Sequence, residues 1–283
     1  MLMKGLRFLT SASLFLALDG AIIVVFGYFL YGIQILPEMI LAAFLAPFAV
    51  YSLNKATDKA EDSVNRPETA RMAAVYYVGP SILAMVIDLS IGASIGLSVF
   101  ITLLIPLTVS LVYSVRLSRS IPRLKEIVGV KSVVVAFTWA FTGCLLPACM
   151  HAVQDEKIGL VFIYIFIRIL AGTILCDVLD MKGDLASGLK TIPIRLGKKR
   201  TRNLLVTINS LLGPWIIYCL LRGLFLSYMP ALIFGALYGY VPIWSFLKND
   251  CPKPLAGLMV DGEWLPIVTL MKVIPRAIMA FVH

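Results

Sequence analysis

Residues 35–53, ILPEMILAAFLAPFAVYSL, are almost free of charge, and residues 54–67, NKATDKAEDSVNRP, follow at once with six charged side chains. The first stretch is a continuous apolar run, not an alternating one, so it reads as a helix in lipid. In the second, Asn54, Asp58 and Asp62 recur at every fourth position and share one face of a helix that continues past the membrane edge.

The rest of the chain repeats the first pattern. Of its 283 residues 60% are hydrophobic and 14% charged, against roughly a quarter charged in a soluble domain. Mean hydropathy is +0.92. Apolar runs of about 20 residues span a bilayer, and backbone groups in lipid must be paired inside helices or a closed barrel. The runs are long and unbroken, which favours helices. Predicted spans are 11–32, 36–53, 72–90, 93–115, 131–150, 158–177, 203–222, 226–247 and 264–282. The expected fold is all-α: a polytopic membrane protein of nine transmembrane helices in a bundle around a central cavity, with residues 1–283 forming one domain. The run from Phe8 to Tyr31 is too long for a cleaved signal and reads as the first span.

Lys and Arg collect in the long connections. Twenty of the 25 fall at the amino terminus, in 54–71, 116–131 and 182–202, or at Lys248 and Lys253. The opposite side holds only Lys157 and Arg222, and Arg168, Lys272 and Arg276 fall within predicted spans. The positive-inside rule then puts the amino terminus in the cytoplasm and, after nine spans, the carboxyl terminus outside. The net charge of +9 is thereby explained without nucleic acid. Five cysteines show no CxxC spacing, so neither a disulfide framework nor a zinc site is expected.

A second acidic cluster, CDVLDMKGD, holds Asp177, Asp180 and Asp184 at the same end of the sixth span. Their i, i+3, i+7 spacing also makes one helical face. Two facing carboxylate rows repel unless cations lie between them. Hard cations with oxygen ligands suit them, Mg²⁺ foremost, bound together with phosphate oxygens. Arg66, Lys125, Lys131, Lys190 and Arg195 supply positive charge nearby, and Gly183, Gly188, Pro193 and Gly197 suit a loop over the site. A trianionic head at the mouth and a hydrocarbon tail among the helices describe a polyprenyl diphosphate. Asp19 and Arg168, both within spans, are expected to face the cavity, to be paired, and to contact substrate.

These residues resemble the UbiA superfamily of intramembrane prenyltransferases. The NxxxDxxxD motif is Asn54, Asp58 and Asp62, followed by the pair Arg66 and Pro67. The DxxxD motif is Asp180 and Asp184 with the earlier Asp177. Gly188, Thr191, Pro193 and Gly197 resemble the pattern downstream, and Tyr113 with Ser114 the end of the fourth span. The resemblance implies two Mg²⁺ ions, one held by Asn54, Asp58 and Asp62, the other by Asp180 and Asp184 with support from Asp177. Arg66, Lys125 and Lys131 would contact diphosphate, with Tyr113 hydrogen bonding there. It also implies transfer of the prenyl group to a lipophilic acceptor, aromatic or a glycerol phosphate ether. A terpene cyclase on the same scaffold, or a membrane transporter or lipid-binding protein without chemistry, are the competing functions.

Overall fold

The computed structural model describes residues 13–57, 63–64, 74–114, 127–247 and 253–282. The described residues are all-helical. The first helices are α1 (Ser13–Tyr31), α2 (Pro37–Thr57), α3 (Val75–Ile95), α4 (Leu97–Ser114) and α5 (Val130–Ala148). They are followed by α6 (Asp155–Ala186), α7 (Ile192–Ser210), α8 (Leu212–Leu221), α9 (Met229–Tyr238), α10 (Tyr240–Leu247), α11 (Lys253–Asp261) and α12 (Trp264–Val282), with a 3₁₀ turn, Leu226–Tyr228, before α9. Among the described residues 7 helical stretches are long and apolar enough to cross a membrane. Large apolar side chains such as Leu83, Leu97, Leu221 and Leu237 point outward, as a lipid-facing surface requires.

Without a hydrophobic force between helices in lipid, close approach rests on small residues. Gly20 of α1 lies against α2, where an added Cβ would meet the Ala43 carbonyl oxygen and, at 2.6 Å, Cγ of Pro47. Gly27 faces α5 in the same way, since an added Cβ there would lie 2.5 Å from the Gly143 carbonyl oxygen. These two glycines pin α1 between α2 and α5. Gly20→Ala is expected to destabilise the detergent-solubilised protein by about 1–3 kcal/mol. A thermal unfolding midpoint equal to the wild type's would refute this close approach. On the far side of α1, Phe26 stacks on Tyr164 at 5.4 Å and meets Trp264 edge-on at 5.3 Å, inside the largest buried cluster.

Helix limits differ from the sequence expectation at several points. The expected connection at 91–92 lies inside α3, which runs to Ile95, and the expected spans 203–222 and 226–247 are each broken, between α7 and α8 and between α9 and α10. The sixth span runs nine residues beyond 177, to Ala186. The seventh helix starts at Ile192 instead of 203, and α11 occupies much of the predicted connection 248–263. Apolarity marks where lipid lies, not where a helix stops. The stop of α6 is set by Gly188, in the left-handed region at φ 74. Leu189 N–H donates to the Asp184 carbonyl at 2.8 Å and Gly188 N–H to that of Leu185 at 3.1 Å. That is the paired capping pattern of a helix ending in glycine. The expected loop over the site is therefore mostly helix. Gly183 lies within α6, Pro193 in the first turn of α7, and Gly197 (φ 72) at a kink within α7.

Candidate active site

A cavity of about 320 Å³ lies between α1, α2, α5 and α6, with Pro106 and Ser110 of α4 at one side and the corner between α11 and α12 at another. One end is polar. Asn54 and Lys55 come from the last turn of α2, Lys131 from the first turn of α5, and Asp177, Asp180 and Asp184 from the end of α6. Ser13, at the start of α1, accepts a hydrogen bond from Lys55 Nζ at 3.0 Å. Three helices thus bring their polar ends to the start of a fourth. Asn54 of the first motif and the three aspartates of the second line the same cavity.

Within the α6 cluster the three aspartates are not equivalent. Asp177 is buried, and Lys131 Nζ lies 2.7 Å from its Oδ1. Ser132 donates to its Oδ2 at 3.4 Å. Lys131 and Ser132 therefore hold this carboxylate in place across the α5–α6 contact. Asp180, one turn on, is half-buried, and Asp184, a turn further, is buried; both line the cavity. Two carboxylates one helical turn apart, beside a third that carries its own lysine, make a donor set of hard oxygens of the kind Mg²⁺ prefers. Among the described residues no group of three or more His, Cys, Asp or Glu is arranged to hold a metal by itself. Asp58, Asp62, Arg66 and Lys125 lie outside the described residues, as does the side chain of Tyr113.

Lys190 is not brought into the cavity. Behind the glycine turn Leu189 takes the inward position and lines the cavity, while Lys190 is exposed. Arg195 is exposed as well.

Deeper in, the expected pairing of Asp19 with Arg168 does not occur. Both line the cavity, but the Arg168 guanidinium forms a two-pronged pair with Glu263. Its Nε donates to Glu263 Oε1 at 3.1 Å and its Nη2 to Oε2, and its Nη1 donates to Asn209 Oδ1 at 2.9 Å. Asn209 in turn donates to the Ala236 carbonyl at 2.9 Å. This network ties α6, α7 and α9 to the α11–α12 corner. Gly239 makes room for it, since a Cβ there would strike Arg168 Nη1 and Asn209 Oδ1. Glu263 was missed because it falls one residue short of the predicted last span, in what reads as a solvated connection. The signal that could have found it is the unpaired Arg168 in mid-span, which requires an acidic partner somewhere.

The UbiA prenyltransferase family model matches residues 38–259. No curated protein sequence matches this chain. Among solved structures, a UbiA homolog from Archaeoglobus fulgidus bound to GPP and Mg²⁺ superposes with a TM-score of 0.71 at 16% identity, over 97% of this chain and 99% of the other. A digeranylgeranylglyceryl phosphate synthase gives 0.63 at 14% identity, over 95% and 98%. A UbiA homolog from Aeropyrum pernix K1 gives 0.65 at 12% identity, over 94% and 98%. At these identities the likeness is one of fold.

Proposed function

This chain belongs to the UbiA prenyltransferase family, and from that premise we propose that it is a Mg²⁺-dependent intramembrane prenyltransferase. It moves a polyprenyl group from its diphosphate to a lipophilic acceptor, aromatic or lipid, and releases diphosphate. The observation that carries this reading is the polarity of the cavity. Its mouth gathers Asn54, Lys55, Lys131, Asp180 and Asp184, and its walls below include Ile23, Val24, Val134, Val135 and Ile169, with Asp19 and the paired Arg168 and Glu263 among them. A substrate with a highly charged head and an oily tail fits this gradient. The Archaeoglobus fulgidus homolog with GPP and Mg²⁺ has a ligand of that chemistry.

Asp180 and Asp184 would hold one Mg²⁺, with Asp177 oriented beside them by Lys131. Asn54, Asp58 and Asp62 would hold a second. Bound there, Mg²⁺ supplies neutralisation of the charge that gathers on departing diphosphate. Lys131 adds positive charge at the same edge, with Arg66 and Lys125 assigned to the diphosphate from the sequence. The apolar walls exclude water from the allylic cation until the acceptor captures it. The apolar helices Leu97–Ser110 and Trp264–Pro275, added to the 7 longer ones, would make nine spans. The distribution of Lys and Arg then supports a cytoplasmic mouth and amino terminus.

The test is diphosphate release by the purified protein in nanodiscs. Geranyl, farnesyl and geranylgeranyl diphosphates are supplied with Mg²⁺ or EDTA, with and without an acceptor panel. Release that needs both Mg²⁺ and an acceptor is expected. Release with a cyclic product and no acceptor would move the reading to a cyclase. Binding without release would leave only a transport or lipid-binding role.

A further inference from the structure

The positive charge along the start of α7 lies outside the cavity. Lys190, Arg195, Lys198, Lys199, Arg200 and Arg202 fall within 13 residues, and no Asp or Glu occurs between Asp184 and Asp250. The connection 54–71, by contrast, carries four cations and four acids. Lys190, Arg195, Lys198, Lys199 and Arg200 are exposed. Among the described residues Lys190, Arg195, Lys199 and Arg200 form no ion pair. Gly197 breaks the helix at φ 72, so Lys198, Lys199 and Arg200 open its continuous part, where the helix dipole disfavours cations. Membrane topology calls for cations on this side, but neither for their gathering on one exposed turn nor for the exclusion of acids.

The depth of this turn follows from the Arg168 network. Arg168 lies at the middle of the apolar run 158–177 of α6 and donates to Asn209 of α7 at 2.9 Å. Asn209 is therefore near the mid-plane of the bilayer. Lys199 precedes it by ten residues of unbroken helix, about 15 Å, which is half the hydrocarbon thickness. The turn thus stands level with the lipid headgroups. Its apolar neighbours agree. The Arg202 guanidinium lies 5.2 Å from the centre of the Trp244 ring, and Trp244 is 50% exposed, as aromatic side chains at a membrane interface are. Leu196 is exposed between Arg195 and Lys198.

We propose that residues 198–202 form a docking surface for the headgroups of anionic membrane lipids, extended outward by Lys190 and Arg195. The inference needs α7 to span the membrane and does not rest on prenyl transfer. A zwitterionic headgroup brings its own cation beside its phosphate, and the two largely cancel at this surface. An anionic headgroup leaves a net negative charge to meet the cations. Arg200 presents a planar fork suited to two phosphate oxygens, and Lys199 a point charge next to it. A soluble anion would find the same charges, but Leu196 and Trp244 beside them match the upper acyl chain of a lipid, which a soluble anion lacks.

Tryptophan fluorescence tests this on the full chain in phosphatidylcholine liposomes. These are doped with acyl-brominated phosphatidylglycerol or acyl-brominated phosphatidylcholine, because bromine quenches an indole only at close range. The part of the quenching that Trp244→Phe removes belongs to Trp244. At low salt, phosphatidylglycerol is expected to half-quench that part at a mole fraction about threefold or more below phosphatidylcholine. The preference should shrink in about 1 M salt. Lys199→Gln with Arg200→Gln is expected to cut the preference by about half or more. Lys199→Arg with Arg200→Lys, which keeps both charges, should retain it, and this pair separates lost charge from a folding defect. Equal quenching by the two lipids, or a preference that the neutral pair leaves intact, would overturn the surface. A preference abolished by micromolar inorganic diphosphate would assign these cations to soluble phosphate and overturn the lipid as occupant.

Discussion

Glu263→Ala is expected to cost about 3–5 kcal/mol of stability, the typical penalty for stranding one member of a buried ion pair. Arg168 is 3% exposed and Glu263 5%, so water cannot take over the lost carboxylate. The guanidinium would keep only Asn209, whose amide is also committed to the Ala236 carbonyl. Denaturation in detergent, followed by the near-ultraviolet signal of the aromatic cluster around Trp264, gives the measurement. The matching double variant, Arg168→Leu with Glu263→Met, is expected to recover most of the loss, because removing both charges also removes both desolvation costs. Recovery stays short of complete, since Asn209 Oδ1 loses its donor. A single variant within 1 kcal/mol of wild type, on the scale of an exposed pair, would mean that Glu263 is not what compensates Arg168.

That network also shows what the sequence withholds. The apolar runs declare the helices because lipid imposes a composition on them, and α1 and α5 end within two residues of where their runs end, whereas α3 runs on to Ile95, past the expected connection. Asp177, Asp180 and Asp184 declare their shared face because i, i+3, i+7 spacing is local geometry. The partner of Arg168 is a different kind of fact. It depends on how the α11–α12 corner folds back against α6, some 95 residues away in sequence. Asp19, a charge in the first span, was the obvious partner by composition and the wrong one by tertiary geometry. The extension of α6 past the apolar run lies between these cases. Gly188 carried a real stop signal, but a glycine amid Lys, Ser and Asp reads equally well as a mobile loop. Lys190 was assigned to the site for the same reason and lies outside the cavity.

Asp180→Asn and Asp184→Asn are expected to lower diphosphate release at least about a hundredfold, on the scale of removing one preorganised group that stabilises developing charge. The folded state should be little affected. Each substitution keeps the side chain's shape and removes one negative charge from the row on α6. Release should recover partly at high Mg²⁺, since the amide oxygen remains a weaker hard ligand. Asp177→Asn should behave differently. Its carboxylate faces Lys131 at 2.7 Å and Ser132, so the loss falls on the α5–α6 contact and breaks an ion pair beside Asp180 and Asp184. A smaller drop in release, without recovery at high Mg²⁺, is the expected signature. Thermal stabilisation by Mg²⁺ with geranyl diphosphate separates the classes without turnover: absent in the first two variants, present but reduced in the third. Equal loss in all three would place Asp177 among the direct ligands and remove the distinction that Lys131 draws. Full release by Asp180→Asn and Asp184→Asn together would leave the mouth without its chemistry.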